Sequence, residues 1–259
     1  KMQNDLRYAI FNDELVLNYQ PIISVAKQEL TGFEALVRWQ HPVKGLVGPN
    51  LFIPLAEETD LILPLGRFVI KEACRQLKQW HATIPGADRL TMNVNVSTKQ
   101  FMDGALTDFI IKTLEENKLA PECLNLEITE SLIIKKAKSM MSKLSLLKKH
   151  GIKVVLDDFG TGYSSLSYIQ DFQIDSIKID RSFINNMDCD DGCIEIVKTI
   201  LALCRNLGLG VVAEGVERKT QLDILKELNC EKIQGFYFSK PVDKYKAADL
   251  IKNDFAISE

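Results

Sequence analysis

Five side chains with oxygen donors occupy equivalent places along the sequence. Each lies in or at the end of a short β-branched or apolar run that a helix-like segment follows, and they are Glu34, Asn95, Glu127, Asp157 and Glu214. If the runs are parallel strands of a barrel, these side chains meet at one face, because the strand C-termini converge there. Carboxylates crowded together repel one another, and a hard divalent cation such as Mg²⁺ or Mn²⁺ relieves that repulsion. The pattern therefore predicts a divalent metal site.

The elements that must position these residues alternate in type along the chain. Eight strand-like runs are predicted, at residues 15–23, 30–39, 89–96, 123–128, 152–157, 174–180, 209–214 and 231–238. Amphipathic helical patterns separate most of them, as at residues 67–81 and 194–207. Alternating strands and helices predict a parallel sheet with helical crossovers, and eight repeats favour a closed TIM-like (β/α)8 barrel.

Two connections deviate from this regular alternation. Residues 24–29 are too few for a helical crossover, so the first strand is predicted to run antiparallel to the second. Between Trp39 and Arg67 we expect a long irregular insertion, because four prolines interrupt it: Pro42, Pro49, Pro54 and Pro64.

Length and composition favour one domain. A chain of 259 residues, 46% hydrophobic, can bury a single large core, and barrels of about 250 residues commonly form one domain. Residues 1–259 are therefore predicted to be a single domain. Because the sequence starts with a helix-like segment and without an initiator Met, we expect it to belong to a longer multidomain protein.

Charge and cysteine usage exclude several classes of protein. A net charge of −3, without a dense basic stripe, argues against binding of a nucleic-acid polymer. Without an apolar run near 18 residues or a secretory signal, we expect no membrane contact by this chain. A cytoplasmic location follows, with membrane anchoring of the whole protein left open. Six scattered cysteines without a CxxC pair exclude the usual zinc frameworks, and a redox role for Cys189 and Cys193 stays open.

Seven short motifs follow one another in an informative order. They are Glu34-Ala35-Leu36-Val37-Arg38, Asn95-Val96-Ser97, Glu127-Ile128-Thr129-Glu130, the segment 157–166 that begins Asp157-Asp158-Phe159-Gly160, Lys178-Ile179-Asp180, Ala213-Glu214-Gly215-Val216-Glu217 and Gln234-Gly235-Phe236. In this order, over residues 19–241, they strongly resemble the EAL family of cyclic di-GMP phosphodiesterases. The resemblance implies a metal-dependent hydrolase that opens cyclic di-GMP to linear 5′-pGpG.

The resemblance also implies a set of metal ligands. Glu34, Asn95, Glu127 and Asp157 match ligands of a Mg²⁺ or Mn²⁺ ion, and Asp157 with Asp158 matches the holders of a second ion. Two divalent ions roughly 3.5–4 Å apart suit hydrolysis of a phosphodiester, because both can stabilise the charge of in-line displacement. We expect Ca²⁺ to inhibit, since it tolerates irregular coordination. Glu214 matches the proposed general base, and its role as base or as metal ligand stays open.

Lys178 lies between Ile177 and Ile179, so its side chain points into either the barrel mouth or the helix layer. A buried lysine needs an anion. The resemblance makes it a catalytic residue, together with Glu34 and Glu214, that orients the attacking water. Asp180 ranks second here, since a strand-ending turn residue explains it equally well.

The remaining site residues are implied by resemblance alone. Substrate contacts are expected from Gln20, Leu36, Arg38, Gln234 and, with weaker support, Glu217. Arg38 suits a bidentate grip on phosphate, although a surface ion pair is the alternative. Glu130 is expected to hold the glycine-rich loop that contains Gly160 and Gly162, and because this loop takes part in dimer packing in the family, we expect a homodimer. An upstream sensor or cyclase domain is expected as well.

The sequence can be interpreted in terms of three functions. The first is an active hydrolase, and the second is a non-catalytic receptor that binds cyclic di-GMP and acts through a protein partner. Degenerate family members lose the signature Glu, the paired aspartates or the loop glycines, and all of these are present here. One departure is Asp60, which stands where glycine is frequent. A phosphodiesterase acting on lipid headgroups would need histidines at strand ends, and His41, His81 and His150 are not expected there.

Overall fold

A computed structural model describes residues 2–130, 137–160 and 172–253, and only the backbone of residues 137–139. Nine strands of this part form one sheet. They are β1 (Leu15–Ser24), β2 (Leu30–His41), β3 (Gly45–Val47), β4 (Thr91–Asn95), β5 (Leu124–Thr129), β6 (Lys153–Phe159), β7 (Ser176–Ile179), β8 (Gly210–Glu214) and β9 (Lys232–Gln234).

The sheet closes into an eight-stranded barrel, with β3 added as a short hairpin partner of β2. Strands β2 and β4 to β9 pair in parallel. Strand β1 runs antiparallel to both of its neighbours, β2 and β9. The TIM-like barrel with an antiparallel first strand is confirmed, and the short connection after Ser24 is its physical cause, because only a hairpin fits there.

Helices surround the barrel and cover its apolar outer face. Those of the described residues are α1 (Met2–Ala9), α2 (Pro49–Glu58), α3 (Ile62–Thr83), α4 (Thr98–Met102), α5 (Leu106–Asn117), α6 (Ala137–Lys149), α7 (Arg181–Asn186), α8 (Asp191–Leu207), α9 (Lys219–Glu227) and α10 (Lys244–Lys252). Both predicted helices lie within α3 and α8. The predicted face of α3, with Val69, Ala73, Leu77 and Trp80, is buried.

The predicted irregular insertion between Trp39 and Arg67 is wrong. Strand β3, helix α2 and the start of α3 occupy much of it. Pro49 is the first residue of α2 and Pro64 lies in the first turn of α3, where backbone N–H groups have no helical acceptor in any case. Pro54 lies inside α2, where burial of Phe52 and Ala56 helps to offset the hydrogen bond that proline removes.

The structure also shows the backbone conformation of Asp60 and the position of His41. Asp60 has a φ of 58°, a conformation that glycine adopts without strain, which explains why glycine is frequent at this position. His41 was not expected at a strand end, but it is the last residue of β2. Its Nδ1 accepts the N–H of Val43 at 3.1 Å, and its Nε2 lies 3.7 Å from Asp5.

Strand alternation divides the barrel residues into two sets. Outward-facing residues such as Phe33, Val94 and Leu126 are buried under the helices, and they form much of the core. Inward-facing residues include the carboxylates near the strand C-termini. The register brings Asn95 beside Glu127 and Gln20 beside Glu34, so side chains from distant parts of the sequence share one face.

The turn after Asn95 is fixed by a capping box. The Ser97 N–H donates to Gln100 Oε1 at 3.0 Å, and the Gln100 N–H donates to Ser97 Oγ at 3.3 Å. Helix α3 approaches this turn through Gly66, where a Cβ atom would lie 1.4 Å from Gln100 Nε2. Gly66 is therefore needed for close packing of α3 against the chain that carries Asn95.

We predict that Gly66→Ala lowers the free energy of unfolding by about 1–3 kcal/mol, because Gln100 is forced out of its buried position. The loss should occur although alanine favours a helix by about 1 kcal/mol over glycine. Urea denaturation measures the change. In a Gln100→Ala background the clash is gone, so Gly66→Ala should become neutral or stabilising. Stabilisation by Gly66→Ala alone would contradict this packing account.

Candidate metal centre and adjoining cavities

Lys178 points into the barrel and lies among four carboxylates. Its Nζ is 2.5 Å from Glu214 Oε1, 3.0 Å from Glu127 Oε1, 3.2 Å from Glu34 Oε2 and 3.6 Å from Asp157 Oδ1. Its side chain is 1% exposed. Burial favours the neutral amine, but the surrounding carboxylates raise the pKa of Lys178 well above its ordinary value. The ammonium therefore stays charged and holds the four acidic side chains together.

Glu34 accepts hydrogen bonds at both of its carboxylate oxygens. Asn95 Nδ2 donates to Oε1 at 2.6 Å, and Gln234 Nε2 donates to Oε2 at 2.6 Å. Burial alone would raise the pKa of this carboxyl, but Lys178 and the two amide donors lower it below its ordinary value. Glu34 is therefore ionised at neutral pH.

Glu127 and Glu214 have the opposite behaviour. Burial, followed by the charge of Glu34, raises the pKa of Glu127 well above its ordinary value. Burial likewise raises the pKa of Glu214 to about 8, against the lowering effect of Lys178. One ammonium is thus too little positive charge to keep every carboxyl of the cluster ionised.

Asp157 and Asp158 follow each other at an irregularity in β6. The pairing of β6 with β7 shifts between Leu156 and Phe159, and Asp158 has a φ of 56°. This left-handed conformation, uncommon outside glycine, turns the second aspartate toward the rim. One carboxylate oxygen each of Asp157, Asp158 and Glu214 lie within 4.8 Å of one another.

The donor set suits a hard divalent cation. Carboxylate and amide oxygens are what Mg²⁺ and Mn²⁺ prefer. Glu127 Oε2 is buried and, among the described residues, has no hydrogen-bond partner. An unpaired buried carboxylate oxygen is costly, and a cation would satisfy it. On this chemistry the residues fit the metal that the sequence predicts.

Two cavities flank the carboxylate cluster. The larger, of about 460 Å³, lies between the strand ends and helices α2 and α3, with Asn95, Glu127 and Asp158 in its wall. The smaller, of about 190 Å³, is lined by Glu34, Glu214 and side chains from β1, β9 and the loop after β8. Leu36 lines both cavities. A ligand that extends into both cavities would therefore lie across the cluster.

The predicted substrate residues are placed unequally. Gln20, Glu217 and Gln234 line the smaller cavity, and Gln234 Nε2 also donates to Gln20 Oε1 at 3.1 Å. Arg38 is half-buried and donates to the carbonyl of Val37 at 2.9 Å, and it lines neither cavity. The guanidinium of Arg38 is thus directed to a backbone carbonyl of its own strand and not into either cavity.

Glu130 contacts the chain beyond Asp158. Its Oε2 accepts the N–H of Gly160 at 3.1 Å. Gly160 has a φ of 98°, and a Cβ atom there would lie 2.7 Å from Phe183 Cε2. Glycine is thus required on both grounds, and Gly160 is held between Glu130 and Phe183. Gly162 lies outside the described residues.

Sequence reasoning missed three residues of this region. Asn93 and Asn125 lie inside the barrel next to Glu127, and Arg181 lines the smaller cavity. The two asparagines precede Asn95 and Glu127 by two residues each, so the period-2 pattern of a strand could have found them. Arg181 follows Asp180, which caps α7 by accepting the N–H of Ser182. Asp180 is thus the turn residue that ends the strand, one of the two interpretations that the sequence leaves open.

Cys189 and Cys193 each contact an oxygen atom three residues before them in the sequence. Cys189 Sγ lies 3.4 Å from the carbonyl of Asn186, and Cys193 Sγ lies 3.4 Å from the Asp190 carboxylate. Partial burial and the Asp190 carboxylate raise the pKa of Cys193. A raised pKa disfavours the thiolate, which is the reactive form.

Comparison with known proteins places the chain in a family. The sequence profile of the EAL domain matches residues 3–241, and the chain belongs to the EAL domain family. It is 41% identical over 242 residues to "Cyclic di-GMP phosphodiesterase NbdA" of Pseudomonas aeruginosa, covering 93% of this chain and 31% of that protein. The bifunctional diguanylate cyclase/cyclic di-GMP phosphodiesterase MucR of the same organism is also 41% identical, with 93% and 35% covered.

Solved structures agree with the family. The MucR phosphodiesterase in complex with c-di-GMP superposes with a TM-score of 0.90 at 40% identity, covering 94% of this chain and 98% of that one. The EAL enzyme Bd1971 with cAMP and cyclic-di-GMP bound has a TM-score of 0.93 at 33% identity, with 97% and 68% covered. The chain spans about a third of the length of the curated relatives it matches.

A helix that crosses a membrane needs about 20 predominantly apolar residues. Within residues 2–130, 137–160 and 172–253, no helix is both long enough and apolar enough to cross one.

We predict that metal-free stability falls as pH rises. The pKa of Glu214 is about 8 in the folded chain against an ordinary 4.5, so between these values the folded state holds a proton that the unfolded state has released. The free energy of unfolding then decreases with pH in that window, by up to about 1.4 kcal/mol per pH unit. Glu127 acts in the same direction. Urea denaturation in chelator at pH 6 and pH 8.5 measures the slope.

Glu214→Gln should flatten this slope, because glutamine carries no titrating proton. Glu115→Gln, on the exposed side of α5, serves as the matched control and should leave the slope unchanged. An equal slope in wild type and Glu214→Gln would mean that Glu214 is ionised at neutral pH.

A further prediction concerns Glu130→Ala, which removes the acceptor of the Gly160 N–H. Hydrogen exchange at Gly160 should become faster, and divalent cation binding should weaken about 10–100-fold through displacement of Asp158. Glu130→Gln keeps an acceptor oxygen and should have a smaller effect. Peptide-level deuterium exchange and calorimetric titration with Mn²⁺ measure the two effects. Wild-type exchange in Glu130→Ala would show that Phe183 suffices to hold Gly160.

Proposed function

We propose that this chain is an active phosphodiesterase that hydrolyses cyclic di-GMP to linear 5′-pGpG with two divalent cations. Membership of the EAL family and likeness to cyclic di-GMP phosphodiesterases support the substrate. The observation that carries the proposal is the cluster of four carboxylates around Lys178, with Asp158 beside it and a cavity on each side.

The charge of the cluster supports two Mg²⁺ or Mn²⁺ ions. Five ionised carboxylates beside one ammonium carry four excess negative charges, which two divalent cations would neutralise. In the proposal, the residues that hold them are Glu34, Asn95, Glu127, Asp157, Asp158 and Glu214. When bound, the cations supply activation of water and stabilisation of charge at phosphorus.

The protein side chains orient the reacting groups. Lys178, fixed by four carboxylates, is placed to donate a hydrogen bond to the attacking water or to a phosphate oxygen. Glu214, whose Oε1 lies 2.5 Å from Lys178 Nζ, would be ionised with the cations bound, and its carboxylate is then placed to accept a proton from the attacking water. Glu34 stays ionised and, held by Asn95 and Gln234, keeps its position when the substrate enters.

The two cavities support a dinucleotide substrate. Leu36 lines both cavities, and in the proposal the scissile phosphate lies over the carboxylates with one nucleotide extending into each cavity. The smaller cavity offers the Glu217 carboxylate as an acceptor for the N–H donors of a guanine. Arg38 reaches phosphate in this proposal only after its guanidinium leaves the Val37 carbonyl.

The oligomeric state, the further domains and the location of the whole protein are also part of the proposal. We infer a homodimer, an upstream sensor or cyclase domain, and a cytoplasmic location, in line with relatives of about three times this length. Inhibition by Ca²⁺ belongs to the same proposal, because a larger and less strictly coordinated ion holds the reacting groups less well.

We predict that the purified chain converts cyclic di-GMP to 5′-pGpG with Mg²⁺ or Mn²⁺, and that excess chelator abolishes turnover. Ca²⁺ should bind without supporting turnover. Glu34→Ala and Asp157→Ala each remove a ligand, so both should lose more than about 100-fold, beyond the effect of groups that only orient ligands. Chromatography with mass detection identifies the product, and circular dichroism checks the fold of each variant.

Two results would contradict the proposal in different ways. Robust hydrolysis in excess chelator would exclude the metal mechanism. Tight binding of cyclic di-GMP by the folded, metal-loaded wild type without any turnover would instead support the receptor alternative. Glu115→Gln is the matched control, since its exposed carboxylate lies on the surface of α5 and should leave turnover unchanged.

A further inference from the structure

A layer of amide side chains lies inside the barrel next to the carboxylate cluster. Asn93 precedes Asn95 by two residues in β4, and Asn125 precedes Glu127 by two residues in β5. Successive side chains of a strand alternate between its faces, so all four point inward. The register pairs Asn93 with Asn125 and Asn95 with Glu127.

Asn125, Asn93 and Glu127 form a directed chain of hydrogen bonds. Asn125 Nδ2 donates to Asn93 Oδ1 at 2.7 Å, and Asn93 Nδ2 donates to Glu127 Oε1 at 2.7 Å. In the ionised form that binds a cation, Glu127 only accepts hydrogen bonds, so Asn93 must present its NH₂ group to it. The Asn93 carbonyl oxygen then faces Asn125, which must present its own NH₂ group. Asn125 therefore holds Asn93 in the orientation that Glu127 requires.

This chain makes the two oxygens of Glu127 different. Oε1 accepts from Asn93 and lies 3.0 Å from Lys178 Nζ. Oε2 is buried and has no hydrogen-bond partner in the described part of the chain. Asn93 and Lys178 thus both hold Oε1 in place, and Oε2 is available to a ligand.

Packing alone does not account for the two amides. Val155 and Val212 occupy inward-facing positions two residues before Asp157 and Glu214, in β6, which pairs with β5, and in β8. Apolar side chains therefore fit inside the barrel at the position two residues before a carboxylate of the cluster. Asn93 is 3% exposed, and burying an amide costs free energy unless its hydrogen bonds are made. The amides occur under Glu127 and not under Asp157 or Glu214.

We propose that Asn93 and Asn125 are positioning residues for Glu127, which fix its carboxylate so that Oε2 faces the divalent cation and so set the affinity of the site for that ion. This inference rests on the metal site of the proposed function. It adds two residues that make no contact with the cation themselves and act on it through Glu127.

The test is calorimetric titration of the purified chain with Mn²⁺. Asn93→Leu removes the donor to Glu127 at nearly constant volume and should weaken Mn²⁺ binding about 10–100-fold. Asn125→Leu leaves that donor but frees its orientation, so it should weaken binding less. Thr113→Val is the matched control, because it removes one buried hydrogen bond, to the Phe109 carbonyl at 2.7 Å, in α5 outside the barrel. It should bind Mn²⁺ as the wild type does.

A second measurement separates positioning from general damage. In Asn93→Leu the Mn²⁺ concentration that gives half-maximal turnover should rise by the same factor as the dissociation constant, while the rate at saturating Mn²⁺ stays close to that of the wild type. A low rate at every Mn²⁺ concentration, with wild-type Mn²⁺ affinity, would overturn the inference. If Asn93→Leu does not fold, Asn93→Ser, which keeps a smaller donor, carries the test and should show an intermediate loss.

The two proposals fail in distinguishable ways. If the wild-type chain binds no Mn²⁺, the metal site of the proposed function is wrong. If the wild type binds Mn²⁺ and folded Asn93→Leu and Asn93→Ser bind it equally well, only the positioning role is wrong.

Discussion

Four carboxylates share one mouth of the barrel, and the arrangement of the site depends on how their mutual repulsion is offset. Glu34, Glu127, Asp157 and Glu214 come from four strands, and the closed sheet leaves them no way to separate. Lys178 offers one positive charge, and the pKa values divide accordingly. Glu34, with two amide donors, has a lowered pKa, whereas burial raises the pKa of Glu127 and Glu214. Divalent cations that replace the protons of Glu127 and Glu214 would offset the repulsion among the carboxylates without any change of fold. The same arrangement therefore suits metal binding.

Some of the irregular features of the fold lie at this cluster. Strand β1 runs against its neighbours and brings Gln20 to Gln234, and β6 departs from regular pairing so that Asp158 joins Asp157 at the rim. Gly160 continues the chain in a conformation that other residues rarely adopt. Regular elements elsewhere form a packed support. Departures from ideal geometry are expected at functional sites.

Family likeness and residue geometry contribute different information. The likeness to NbdA and MucR shows which family the chain belongs to, and it suggests a substrate. The geometry shows how this sequence arranges its own side chains. It separates residues in the cluster from Arg38, which bonds its own strand, and it reveals the amide pair of Asn93 and Asn125 beneath Glu127. Such contacts depend on the residues of this chain and follow from no family name.

The sequence by itself determined the alternation of strands and helices, the antiparallel first strand and the oxygen side chains at strand ends. These features depend on local periodicity and on the length of one connection. Tertiary structure decided what local patterns leave open. Three of the four prolines between Trp39 and Arg67 start helices or lie within them, because packing and position in the first turn outweigh their effect as breakers. The direction of Lys178, the hydrogen-bonded chain through Asn93 and the retention of protons by Glu127 and Glu214 all depend on cross-strand register and burial, which appear only once the barrel is closed.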